Sequence, residues 1–207
     1  MQSYDFFCNF AGFKKALTMK KILLLAFVLT FSTVGNSQQR LLIPPVQWFS
    51  FEDALTLNAQ RVAYGLQPRK IFIDVYTVWC GWCRRFNEVT LSHPVIADIL
   101  NTEWIPVKLN AERTDTVVIN NQVFVNENPG VQRSSHQLAQ VLLQGQMGFP
   151  SQVFIDEHGR PIQVSPGFKQ PAHLEALLRF FGTDSHQTME FEEFLETFRG
   201  VIRVEQQ

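Results

Sequence analysis

Cys80 and Cys83 are the residues of this chain best placed to do chemistry. They stand three apart in Trp79-Cys80-Gly81-Trp82-Cys83. If a helix begins at Cys80, that spacing puts both thiols on one face with their side chains adjacent. The first then sits beside the unpaired N–H groups and positive dipole end of the helix, which lowers a thiol's pKa and raises its thiolate fraction. The second lies a turn further in, sheltered, where it can attack a mixed disulfide formed by the first. Arg84 and Arg85 add positive charge nearby, although this far along a helix they equally suit a solvated face. A structural disulfide would close too short a loop to stabilise much. Half a zinc site is the other bland reading, and the chain has no second Cys-x-x-C to complete one.

What must position the pair is a strand ending just before it. Residues 70–77 (Lys-Ile-Phe-Ile-Asp-Val-Tyr-Thr) are short, apolar, β-branched and aromatic, and read as a central buried strand. Upstream, Ser50 begins a helical stretch with Asp53 as capping-box partner, ending near Gly65 and Pro68. Helices are expected over residues 80–89 and 94–100, then a strand over 104–109. Residues 111–135 are polar, with a hairpin pattern around Asn120-Asn121, and read as an insertion in a regular α/β framework. Helix returns over 136–143, two strands over 152–155 and 161–165 form a hairpin, and helices follow over 171–181 and 188–202. His93 reads as a residue opening a helix, and His136 and His158 as loop or surface histidines. Trp104, Phe180 and Phe181 read as core.

In this setting the sequence resembles the thioredoxin superfamily over roughly residues 48–182. Asp74 stands six residues before the first cysteine, Lys108-Leu109-Asn110 falls on the next strand, and Gly148-Phe149-Pro150 precedes a strand. Gly167 separates the hairpin from the closing helix. Gly81-Trp82 between the cysteines departs from the Gly-Pro of thioredoxin itself. Together with the 111–135 insertion, it is more similar to secreted bacterial thioredoxin-like proteins and the periplasmic reducing domain of the transmembrane disulfide reductase. The resemblance implies an α/β thioredoxin fold, a mixed sheet flanked by helices, to which this chain adds the insertion and a helical C-terminal extension over 183–207. It implies a redox disulfide between Cys80 and Cys83, with Cys80 the nucleophile and Cys83 the resolving thiol. Asp74 would accept the Cys83 proton, Lys108 would tune that acid, and Pro150 would be cis, leaving the Phe149 backbone free for an extended substrate. Trp79 and Trp82 would offer an apolar surface to a partner.

The start of the chain concerns address. Met19-Lys20-Lys21, an uncharged run from Ile22 to Phe31 and small residues up to Ser37 make a secretory signal peptide. The apolar run is too short for the roughly 20 residues that span a bilayer. Removal of residues 1–37, with Cys8 among them, leaves residues 38–47 as a linker. It takes four basic residues and one acid from the 18 and 19 present, leaving a net charge of −4. The 207 residues suit one domain with an appendage, and 45% hydrophobic against 18% charged excludes a disordered chain. A mildly acidic balance gives no basic footprint for nucleic acid.

The expectation is an exported, periplasmic or extracellular protein thiol–disulfide oxidoreductase. It acts on protein disulfides as a reductase or isomerase, with no cofactor and no metal. A membrane-embedded electron donor is implied, and a monomer is expected rather than an oligomer. The rival readings are a soft-metal site at Cys80 and Cys83, and a binding or chaperone module in which redox chemistry is secondary.

Overall fold

The computed structural model describes residues 43–203. The expected signal peptide, its cleavage position and Cys8 lie outside the described residues. Helix α1 (Phe51–Ala63) starts at Ser50, whose hydroxyl oxygen accepts the Asp53 N–H at 3.0 Å. That bond satisfies one of the donors a helix start leaves unpaired.

Strand β1 (Ile71–Tyr76) runs through the middle of a four-stranded mixed sheet. Strand β2 (Ile105–Asn110) lies parallel to it, and β5 (Ser151–Ile155) lies antiparallel on its other side. Strand β6 (Pro161–Pro166) pairs antiparallel with β5, so the order is β2-β1-β5-β6. The parallel pair needs a crossover. Helix α2 (Gly81–Phe86) and helix α3 (Pro94–Glu103) supply it.

Alternation along the strands divides the core into two layers. Ile71, Ile73 and Val75 point to one face with Val107, Leu109 and Val153, where α1 covers them. Phe72 and Phe154 point to the other, with Phe86, Ile96, Leu100 and Trp104. Helix α5 (Pro171–Gly182) closes that second layer through Leu174, Leu178, Phe180 and Phe181. Asp74 takes its turn in the same alternation, and the register sets it beside Lys108 on one neighbour and Gln152 on the other.

The 111–135 segment is a built part of the domain. Strands β3 (Val117–Ile119) and β4 (Gln122–Phe124) form a hairpin. Asn120 and Asn121 both have positive φ, 50° and 63°, as a two-residue turn of this hand requires. Val117 and Phe124 are buried in the first layer.

Two expectations are corrected. His136 is fully buried rather than superficial. Its Nδ1 accepts the Leu138 N–H at 3.1 Å, capping helix α4 (Gln137–Leu142), and its Nε2 faces the Asp115 carbonyl at 3.0 Å. A neutral ring protonated at Nε2 satisfies both contacts, so this histidine is a strut between insertion and helix. The helix expected over 188–202 is shorter: a 3₁₀ turn at Ser185–Gln187 precedes helix α6 (Phe191–Thr197). The carboxylate of Glu175, buried within α5, accepts the backbone N–H groups of Val201 and Ile202 at 2.8 and 2.9 Å. Those N–H groups are taken from helical pairing, and the tail folds back over α5. Gly200 permits the approach, because a Cβ there would lie 2.7 Å from a Glu175 oxygen.

Both sheet edges are blunted. Phe49 bridges to the outside of β2, its N–H donating to Pro106 and its carbonyl accepting from Lys108. Strand β6 carries a proline at each end.

Candidate active site

Strand β1 ends at Tyr76, and the chain turns through Thr77–Trp79 into α2, with Cys80 at the N-cap. The cysteines are joined as a disulfide with Cα atoms 5.3 Å apart. Cys80 Sγ accepts the Cys83 N–H at 3.0 Å, so the sulfur does the capping work that an oxygen does at an ordinary helix start. The sequence suggests that the second sulfur is the more sheltered of the two. In the disulfide both are covered alike, at 7% and 6% exposure.

The helix expected over 80–89 is α only to Phe86. Residues Asn87–Leu91 follow as a π turn, closed by the Ser92 N–H donating to the Asn87 carbonyl at 3.1 Å. Such single turns rotate the following side chains relative to a straight α-helix. Here Asn87 Oδ1 lies 2.6 Å from Lys108 Nζ.

Behind the disulfide lies a cavity of about 360 Å³, lined by Asp74, Thr77, Cys80, Cys83, Arg84 and Lys108 among others. Asp74 is 1% exposed. Its Oδ2 is 3.3 Å from Lys108 Nζ, and its Oδ1 has no hydrogen-bond partner. Burial penalises the carboxylate and pushes its pKa up to about 6, while Lys108 pulls against that shift. Lys108 itself is held by Asp74 and Asn87, and its ammonium lies 4.7 Å above the Trp48 ring and 5.6 Å from that of Tyr76. The alternation that buries Asp74 thus also brings Lys108 to it.

In front of the disulfide the surroundings are aromatic. Trp79 and Trp82 are 46% and 61% exposed. The Trp79 indole N–H donates to Glu112 at 2.9 Å, its ring meets Phe149 edge-on at 6.2 Å, and the Arg133 guanidinium lies 4.8 Å above it. Trp82 leans on Phe168 at 5.7 Å. The Phe149–Pro150 peptide is cis. The Phe149 N–H and carbonyl enter none of the backbone hydrogen bonds among the described residues.

The structure therefore brings Asp74, Lys108, Cys80 and Cys83 to one cavity, with Trp79 and Phe149 in contact beside it. Sequence reasoning did not find Asn87, Glu112, Arg133 or Phe168. Glu112 had a signal, being two residues past the Lys-Leu-Asn run, and Phe168 is an aromatic directly after Gly167. His93 caps α3 through its Nδ1, which accepts the Val95 N–H.

The family model of the thioredoxin-like domain matches residues 57–182. Among curated proteins, an uncharacterised protein of Archaeoglobus fulgidus is 28% identical over 71 residues, 34% of this chain and 51% of that protein. The chain thus spans about half the length of the curated relative it matches. In structure it is similar to a DsbH oxidoreductase, with TM-score 0.50 and 18% identity over 72% of this chain and 92% of that one. It is also similar to a thioredoxin from Thermus thermophilus (TM-score 0.47, 18% identity, 67% and 88% covered). A third is the oxidised DsbD C-terminal domain of Neisseria meningitidis (0.38, 16%, 69% and 100%). At these identities the likeness is one of fold.

Proposed function

The chain belongs to the thioredoxin-like domain family, and from that premise we propose that it is an exported thiol–disulfide oxidoreductase that reduces or isomerises disulfides in other proteins. The observation that carries this reading is a Cys80–Cys83 disulfide at a helix start, opening onto a cavity that holds a buried carboxylate.

In the reduced protein the Cys80 thiolate attacks one sulfur of a partner disulfide. The partner's S–S bond breaks, one partner thiolate leaves, and a mixed disulfide forms at Cys80. The Cys83 N–H that caps Cys80 Sγ favours negative charge on that sulfur. Cys83 then passes its proton to the Asp74 carboxylate through water in their shared cavity and attacks Cys80 Sγ. The second partner thiolate leaves, Cys80–Cys83 is again a disulfide, and two electrons have passed to the partner. With a pKa of about 6, Asp74 is mostly ionised near neutrality, yet basic enough to take a proton. Lys108 and Asn87 hold the balance of that acid. Trp79, Trp82 and the unpaired Phe149 backbone receive the partner as an extended segment.

Reduction is favoured over oxidation because Gly81 and Trp82, between the cysteines, offer no histidine to stabilise the thiolate further. Re-reduction needs a dithiol donor, which for an exported protein is membrane-embedded. Equilibration with dithiothreitol or glutathione tests the reading. A potential near about −270 mV supports a reductase, one near about −120 mV reverses the direction, and no reversible two-electron couple overturns the assignment. A mature N-terminus at Gln38 in the exported fraction is the expected mark of the signal peptide.

A further inference from the structure

We propose that Arg84, at the cavity behind the disulfide, and Arg133, over Trp79 in front of it, flank the disulfide as a cationic rim that selects partner proteins carrying carboxylates beside the reacting disulfide. The proposal rests on the oxidoreductase reading and specifies its substrate class. Residues 43–203 carry 13 Lys and Arg against 17 Asp and Glu, so the domain as a whole is acidic. Away from the site Arg113, Arg160 and Arg179 each bond a carboxylate, and Arg61, Arg69 and Arg199 bond backbone carbonyls. Arg84, its neighbour Arg85 and Arg133 enter none of the ion pairs or side-chain hydrogen bonds among the described residues, and of the three Arg84 and Arg133 adjoin the disulfide. Arg84 lines the cavity that ends on the disulfide, and Arg133 lies 4.8 Å over the Trp79 ring, next to Cys80.

The insertion holds Arg133 in place. Its loop is organised around buried Asn126, whose amide N–H donates to the Ser134 carbonyl at 2.8 Å. The same side chain's oxygen accepts the Ser134 hydroxyl at 2.7 Å and the Asn128 N–H at 3.1 Å. Arg133 itself adopts φ 65°, a left-handed conformation that costs a non-glycine residue free energy. Its side chain makes no hydrogen bond among the described residues and is left free to meet a partner. Of the acids nearby, Asp74 is buried beside Lys108, and Glu112, which accepts the Trp79 indole N–H, makes no ion pair with either arginine. Rim charges act on encounter rate and on choice of partner.

The test uses two synthetic peptides, each with one disulfide loop, flanked by aspartates in one and by lysines in the other. Single-turnover reduction by the pre-reduced protein is followed by tryptophan fluorescence. Each rate is divided by that peptide's rate with dithiothreitol, which removes intrinsic differences in reactivity. The expected ratio at low ionic strength is about 10 in favour of the acidic peptide, collapsing towards one at about 0.5 M salt. Arg133→Gln should lower the ratio and Arg133→Glu should lower it further. Equal rates for the two peptides in the unmodified protein overturn the proposal while leaving the oxidoreductase reading intact. Failure to reduce either peptide, or a small neutral disulfide, sinks that reading and the proposal with it.

Discussion

The two sides of the disulfide are built from opposite materials. Behind it, a buried carboxylate, an ammonium and an amide share one cavity, and Asp74 keeps an oxygen without a partner. In front, two half-exposed indoles lean on Phe149 and Phe168. The rear wall is costly to the fold, since an ionised carboxylate is held away from water. The front wall is costly in another way, leaving large apolar rings in solvent. The first arrangement suits moving a proton, and the second suits holding a partner.

The largest effect should come from the sulfurs that divide the two walls. Cys80→Ser is expected to abolish disulfide exchange, and Cys83→Ser to accumulate mixed disulfides visible on non-reducing gels and by mass. Next comes the rear wall. Asp74→Asn should slow the resolving step about 100-fold at pH 7 and remove an inflection near pH 6 from its pH profile. An unaltered profile would detach Asp74 from the proton transfer.

The same residue makes stability depend on pH. Its folded pKa is raised from 3.8 to about 6, so the folded state binds the extra proton between those values. Stability is then fully present below about pH 4 and falls as pH rises through 6, by about 3 kcal/mol in all. Denaturation of the oxidised protein across that window should show the loss, and Asp74→Asn should flatten it. Asn87→Ala, which loosens Lys108, should move the kinetic inflection upward by less than Lys108→Met does. The smallest expected change is at the front. Trp82→Ala should raise KM for a protein partner about 5-fold, with a lesser fall in kcat. If kcat falls more than KM rises, the two walls do not divide the labour as described.

How far this contrast is legible in the sequence differs between the walls. The rear wall follows from strand alternation and register: once β1 and β2 are parallel neighbours, Asp74 and Lys108 must share a face. Asn87 escapes because its partner Lys108 lies 21 residues away on a strand, a contact with no local pattern. The front wall's tryptophans are visible beside the cysteines. Arg133 arrives through a loop folded around Asn126, and contacts across 54 residues leave no local pattern. His136 and the C-terminal tail are misjudged for the same reason, as their partners, Asp115 and Glu175, lie far off in sequence.

The blunted sheet edges bear on the company such a protein keeps. A catalyst of disulfide exchange meets chains that are partly unfolded and rich in unpaired strands, the material from which cross-β aggregates grow. A sheet with an open flank would template them. Here the Phe49 bridge occupies one flank, and prolines bound the other. The backbone left unpaired beside the disulfide, at Phe149, is then where an exchange partner's strand would add, and such an attachment would end with each turnover.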